Sequence, residues 1–491
     1  MSITDGRPGK ERRLAGRRRV ALATLTGANL LVFASVTIMN VALPDVRADL
    51  GLSASATQGI VTLYSLTFGT LILLAGRLAD VVGLRRCLTA GLTGFAAASL
   101  AGGLADDAAV LLTMRALQGA AGAFVAATAV SLMSVTFPRG RSRQIAFGTL
   151  GVVMGIGTAG SFLLGGALVD LLSWRWCLLV NVPLALVLAA GVTSTAPPGP
   201  RPERARRVDV VGAALITASL GALVLGLDRT AAWAWTHPGT VGLLVAGALG
   251  VATFAATLRS KQHPLVPLWL LRDRSRAIAY ASAAVGGLGM FAGMFILTAF
   301  LQEAKELSPV WIGLAFVPFG IGAVTATSTL PALRSRVSPA RVLALGLTLT
   351  AVAIVTFVAL RPESGYLTGV VPAMLLLGSG GTVVMITAGD VATAGAGGDS
   401  GVAGAMVNSA QQVGAALGTA LLTAVMTAAT REQLTSGSQP LDAVVAGYAR
   451  AGLVGTAILA AAMVGVVLLG RTADEAWRVD PTQQATRRPV D

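Results

Sequence analysis

Charge is scarce in this chain. Asp, Glu, Lys and Arg together supply 12% of the residues, against about 25% in a typical soluble domain. Lysine is almost missing: only Lys10, Lys261 and Lys305 stand among 37 basic residues. A soluble chain that is 54% hydrophobic would have no surface to offer water, so a soluble fold is excluded. There are two cysteines, Cys87 and Cys177, expected at helix starts on opposite sides of a membrane. That placement argues against a disulfide, and nothing resembles a metal site. The two histidines, His237 and His263, fall in loops beside prolines, and no Ser/His/Asp or Cys/His grouping stands out for enzyme chemistry. A phosphate-binding loop ending in Gly-Lys-Ser/Thr is also missing, which argues against an ATP-driven pump in one chain. No cofactor is expected.

What the chain has is apolar length. Runs of about 20 residues, enough to cross a bilayer as helix, recur near 20–43, 56–77, 87–105, 108–134, 145–170, 177–195, 209–227, 239–258, 277–301, 310–332, 341–360, 367–391, 402–428 and 447–470. The expected fold is an all-α integral membrane protein with fourteen transmembrane helices. The first run follows Arg17 to Arg19 but is too long for the apolar part of a signal peptide. Residues 1–19 read as a disordered basic arm and 20–195 as a first six-helix bundle. Residues 196–276 hold linkers and a two-helix hairpin, 277–470 a second six-helix bundle, and 471–491 a polar tail.

The formal net charge of +14 invites nucleic acid as a partner, but the loops account for it. With the N-terminus in the cytoplasm and one crossing per run, only Arg47, Arg175, Arg229, Lys305, Arg361, Arg431 and Arg450 fall outside. Arg115 lies within a span, and the remaining basic residues lie inside. That bias is the positive-inside rule; it places both termini in the cytoplasm and makes the lipid bilayer, not nucleic acid, the partner. The preference for Arg over Lys suggests a high-GC bacterium, hence a cytoplasmic membrane.

Polar residues inside the runs mark candidate sites. Arg115 heads Arg115-Ala116-Leu117-Gln118-Gly119, and an arginine within a span costs at least ~2.5 kcal/mol unless it faces a cavity or partner. Gln118 lies one turn on, on the same face. Asn408, Gln411 and Gln412 cannot all face lipid. With Asn40, Tyr64 and Gln302 they form the expected substrate cavity. Asp390 is a carboxylate near the inner end of its span and is read as functional by default, or else as an interface acid paired with a loop arginine. Gly157, Gly165 and Gly166 in the fifth run permit close helix contact. The loop Gly76 to Arg86, with Gly76, Asp80, Gly83, Arg85 and Arg86, combines small residues with charges of both signs between two spans. It reads as a latch that lets helix ends lock in either of two positions.

These residues carry a resemblance. The Gly76 to Arg86 loop and the Arg115 to Gly119 segment resemble motifs of the major facilitator superfamily. Thr37 to Pro44, Ser173-Trp174-Arg175-Trp176 with Asn181-Val182-Pro183, and Ser308-Pro309 followed by Gly313-Leu314 are similar to its fourteen-helix drug:proton antiporter branch. The resemblance covers about residues 20–470. It implies two six-helix bundles that rock about a midplane site, with a two-helix insertion, and export of a drug or other amphipathic molecule in exchange for protons. By match, Arg115 takes the part of the buried arginine that serves proton coupling, and Asp80 with its neighbours the conformational latch.

The chain departs from that pattern at three places. Ser35 stands where the branch usually has an acid, Ser161-Phe162 where it has Gly-Pro, and Leu73 where a proline is common. Serine cannot titrate near neutral pH, so coupling is expected to use Asp390 or Asp80, or to move fewer protons. With few acids in the spans, the cavity reads as neutral to positive, and a small neutral or anionic amphipathic substrate is expected. A monomer is expected. A facilitator or importer on the same fold, or a non-transporting membrane sensor, are the alternatives.

Overall fold

The computed structural model describes residues 8–137, 141–195, 209–230, 236–260, 264–359, 364–396 and 399–477. No strand occurs among them. The helices are α1 (Pro8–Asp49), α2 (Ala54–Val82), α3 (Leu84–Gly103), α4 (Ala108–Thr136), α5 (Arg141–Leu171), α6 (Trp176–Leu179), α7 (Asn181–Thr195), α8 (Val210–Arg229) and α9 (Pro238–Ser260). There follow α10 (Leu268–Arg272), α11 (Arg274–Ala299), α12 (Pro309–Ala315), α13 (Val317–Arg334), α14 (Pro339–Val355), α15 (Val371–Thr393), α16 (Ser400–Thr435) and α17 (Pro440–Trp477). Every apolar run of the sequence falls on helix. Among the described residues, 11 helical stretches are long and apolar enough to cross a membrane, and Gly160–Leu171 and Pro339–Val355 are shorter apolar helices.

The few acids cluster at helix ends. Ser53, Asp107 and Asp273 accept the backbone N–H three residues on, from Ala56 (3.2 Å), Val110 (2.9 Å) and Arg276 (2.9 Å). Each satisfies an amide that the first turn leaves without a helical partner.

Several boundaries differ from the sequence reading. The basic arm is helical from Pro8 onward rather than disordered, because Lys10, Glu11, Arg12 and Arg13 are good helix formers joined directly to the first span. Pro44 lies inside α1 and does not stop it; proline forfeits one backbone bond, which the helix survives within two turns of its end. The sixth run breaks into α6 and α7 at Val180. There the Asn181 side-chain amide donates to the Cys177 carbonyl at 3.2 Å, while Pro183 brings no backbone N–H. Pro318 accompanies a similar break between α12 and α13.

Two large apolar cores follow the chain order. One draws its buried members from residues 25–192. The other draws on Ala213 and residues 254–466, together with Val41 and Phe162 from the first part. The hairpin α8–α9 belongs fully to neither: Leu220 and Val224 of α8 join Leu66 of α2 and Ala416 and Ala420 of α16 in a small cluster of their own. α8 therefore covers a seam between the two parts.

Small residues set the closest approaches. A side chain at Gly414 would run into the Ala284 carbonyl oxygen, and one at Gly287 into the Gln411 carbonyl oxygen, so α11 and α16 touch backbone to backbone. Close approach of this kind replaces the hydrophobic drive that lipid cannot supply. Gly414→Val is accordingly expected to lower stability by about 1–3 kcal/mol, the range for overpacking a tight core. A fall in the thermal midpoint and folded yield of the purified protein, relative to Gly465→Val at an open position, would show it.

Candidate functional site

The centre of the first part is Arg115. Seven residues into α4, it is 1% exposed and among the largest fully buried side chains. Its Nε donates to the Ile60 carbonyl at 3.0 Å, and its Nη1 to Gln118 Oε1 at 2.5 Å and Ser35 Oγ at 3.4 Å. The guanidinium carbon sits 4.4 Å from the centre of the Tyr64 ring, an arrangement that favours a cation over an aromatic face. Nη2 has no hydrogen-bond partner. No carboxylate forms an ion pair with Arg115 among the described residues.

The network extends over four helices. Gln118 Nε2 donates to Ser99 Oγ on α3 at 2.7 Å, and that hydroxyl donates to the Phe95 carbonyl at 2.6 Å. The Tyr64 hydroxyl donates to the Val32 carbonyl on α1 at 2.8 Å. Gly119 lets α4 close on α2, since a side chain there would strike the Tyr64 carbonyl and Thr67. Thr67 Oγ1 donates to the Ala116 carbonyl at 2.8 Å, tying the same pair. The sequence marks Arg115, Tyr64 and Gln118, and the fold brings them together. It does not mark Ser99, a lone serine in an apolar run whose spacing carries no signal.

The other expected cavity residues lie elsewhere. Asn40 is buried but donates to the Val36 carbonyl one turn back on its own helix, 3.1 Å away. Asn408 does the same with the Gly404 carbonyl at 3.5 Å. Gln302 Nε2 donates to the Val41 carbonyl at 3.0 Å, across the two parts of the chain. Gln411 and Gln412 are both buried, and Gln412 Oε1 has no partner. At Gly69 an added Cβ would stand 2.7 Å from the Gln412 Cβ, so α16 crosses α2 on the face opposite the Arg115 network's α4 partner. Ser409 Oγ donates to the Gly69 carbonyl at the same crossing.

Asp390 pairs with Arg334, which also donates to Thr387 Oγ1 at 3.2 Å. Its side chain is 62% exposed, at the end of α15. It is far along the chain and on a different element set from the Arg115 network. In the latch, Gly83 has φ 102 and its N–H caps α2 on the Ala79 carbonyl, a conformation that suits glycine. Arg85 donates to the Thr193 carbonyl at the end of α7, and Arg86 is exposed. The side chain of Asp80 lies outside the described residues. Gly76 is not a close-packing position: a Cβ there would meet nothing within 4 Å. In α5, Gly157 packs on Leu30, a Cβ added at Gly165 would stand 3.1 Å from the Ile38 backbone of α1, and Gly166 is buried.

Trp174 is 4% exposed; its Nε1 donates to Asp49 Oδ2 at 2.9 Å. Arg175 bridges Asp106 at 3.3 Å and Asp49 at 3.5 Å. Trp176, exposed, fits an interfacial aromatic belt.

Residues 25–419 match the Major Facilitator Superfamily profile. The chain belongs to that superfamily. A similar protein is the puromycin resistance protein of Streptomyces alboniger, 39% identical over 483 residues and covered over 96% of both chains. The cephamycin export protein of Amycolatopsis lactamdurans is 34% identical, over 82% of this chain and 84% of that one. The tetracenomycin C resistance and export protein of Streptomyces glaucescens is 32% identical, over 84% and 77%. The fold is shared with an auto-inhibited POT family peptide transporter, with a TM-score of 0.66 at 16% identity over 96% of this chain and 99% of that one. It is shared too with PepTSo of the POT family, with a TM-score of 0.69 at 15% identity over 93% and 98%. This superfamily member is a multi-pass membrane transporter and not an enzyme.

The roles of ring and hydroxyl at Tyr64 can be separated. Tyr64→Phe keeps the face under Arg115 and is expected to cost about 0.5–1.5 kcal/mol, one hydrogen bond's worth. Tyr64→Ala removes the face as well and is expected to cost about 3–5 kcal/mol. Unfolding in mixed micelles, compared with the unmodified protein, ranks the two.

Proposed function

We propose that the protein is an exporter of small amphipathic molecules that works by alternating access and exchanges its cargo for protons. The observation that carries the reading is a fully buried arginine held by four apolar helices in a chain whose relatives are resistance and export proteins. A charge so placed in hydrocarbon is costly and marks function.

The pattern of contacts supports alternation. Call the end of the bundle with Asp49, Asp106 and Arg175 the first face, and the end with Arg85, Arg276 and Arg334 the second. Bonds between the two parts of the chain gather toward the first face. Asp170 accepts from Ser308 Oγ at 3.0 Å and the Val310 amide at 3.1 Å. Thr423 Oγ1 donates to Gln58 Oε1 at 2.9 Å. Phe162 stacks on Phe316 with ring centres 3.9 Å apart. At the second face the described arginines bond within their own part: Arg85 to Thr193, Arg276 to the Ala392 and Ala394 carbonyls, and Arg334 to Asp390. We read this as a state tied at the first face that parts at the second.

In our reading the second face is cytoplasmic, because it gathers the basic loops, and both termini lie there. Adding α3, whose 20 residues reach about 30 Å, and α5 and α14 to the longer apolar helices gives fourteen crossings in a bacterial cytoplasmic membrane. Residues 20–195 and 277–470 form the two rocking six-helix units, with 196–276 between them, and one chain is the working unit. Gln411, Gln412 and Asn408 line the path with Tyr64 and Gln118.

Asp390 is the proton site of this reading. It is exposed at the second face, and protonation would release Arg334. Asp390→Asn is expected to reduce substrate-driven proton release from proteoliposomes about tenfold or more while downhill efflux continues. Unchanged proton release would remove Asp390 from the mechanism. Extrusion itself is tested by resistance and accumulation assays in a pump-deficient host, where no difference from the empty host would sink the exporter reading.

A further inference from the structure

The Arg115 network contains a positive charge and no negative one. Of its nitrogens, Nε and Nη1 are used, whereas Nη2 is buried with no acceptor in reach. Arginine cannot shed its proton in a protein, so the charge stays. Every neighbour that faces it is neutral: Ser35 on α1, the Ile60 carbonyl and Tyr64 on α2, and Gln118 on α4, itself held by Ser99 on α3. The described acids of α1 and α4 lie away from it, and Asp80 of α2 stands twenty residues beyond Ile60, about 30 Å along the helix. Asp45 lies ten residues beyond Ser35, about 15 Å along the helix. Asp107 caps the first turn of α4. Asp49 accepts from Trp174 and bridges Arg175.

We infer that Arg115 is the receptor for an anionic group that comes from outside the chain, a carboxylate carried by the transported molecule or a free anion from solution. A guanidinium with one arm unoccupied is shaped for an oxyanion, which it binds through parallel N–H donors. Gln118 and Ser35 hold the other arm, so the fork is already oriented and little freedom is lost when the anion docks. Tyr64 closes one face of the plane and leaves the edge as the approach. In the described state Nη2 is sealed, so the anion is admitted only when α1, α2 and α4 shift around it. Cargo with a carboxylate would then be bound better than its neutral analogue.

The inference deepens the exporter reading and rests on it for the nature of the cargo. Equilibrium binding needs no transport, however, so the two fail separately. The probes are dansyl-glycine and its neutral amide, titrated by dansyl fluorescence against the full chain in lipid nanodiscs. The expected result is at least tenfold tighter binding of the carboxylate. Ser35→Asp, which places a fixed counter-ion beside Nη1, is expected to erase that preference, and Arg115→Gln likewise. Size-exclusion profiles and thermal midpoints establish that both variants fold. Arg115→Lys, a charge without the fork, is expected to retain part of the preference.

Chloride, exchanged against gluconate at constant ionic strength, tells the sources apart. Competition with dansyl-glycine assigns the site to the cargo's carboxylate, and a rise in affinity of the neutral amide assigns it to a free anion. Equal affinity of the two probes with no effect of chloride overturns the inference. So does a preference that survives intact in Ser35→Asp, and so does a failure of dansyl-glycine to bind with no chloride-dependent rise in thermal midpoint.

Discussion

A guanidinium that cannot be neutralised and cannot reach water has to be satisfied by protein. That single constraint orders the first part of the chain. It requires carbonyl and amide acceptors at fixed places, which only packed helices can offer. Ile60 gives a carbonyl one turn before Tyr64 on the same face of α2. Gly119 brings α2 close enough for that carbonyl to be used, and Thr67 fixes the distance through the Ala116 carbonyl. Tyr64 then passes the constraint to α1, and Gln118 to α3. Buried polar networks of this kind rigidify the helices they join when their members are satisfied. The unoccupied Nη2 is the one place where the network remains open.

The two faces of the bundle are built from different materials. The tie at the first face uses single neutral bonds, a carboxylate on a helix start, and stacked rings. Each such neutral bond is worth only about 0.5–1.5 kcal/mol net. A seam of weak, separable contacts can be offset by a comparable seam at the opposite face, which a rocking protein needs. The arginine bonds at the second face, from Arg85, Arg276 and Arg334, each stay within their own part of the chain and brace it.

Much of this architecture can be read from the sequence because lipid enforces it. Apolar runs must become helix where no water can bond the backbone, and each run did. Boundaries were harder, since Pro44 near a helix end and the basic residues after Pro8 cost a helix little. Polar side chains were ambiguous for a physical reason. An asparagine in hydrocarbon can satisfy itself on the carbonyl one turn back, as Asn40 and Asn408 do, so its polarity alone does not mark a cavity. Gln302 bridges the two parts, a long-range pairing that no local pattern reveals. Arg115 was legible because its burial has so few bland explanations.

The hairpin follows from the same economy. Where α2 crosses α16, Gly69 and Gln412 bring the helices together and Ser409 bonds the Gly69 carbonyl. Near that crossing the seam would expose Leu66, Ala416 and Ala420 along the line between the two parts. α8 covers the line with Leu220 and Val224. These are contacts of dispersion alone, without direction or register, so they impose no angle on the helices beneath them. A cover made of hydrogen bonds would fix the angle between α2 and α16. An apolar one keeps lipid out of the seam and leaves the angle free.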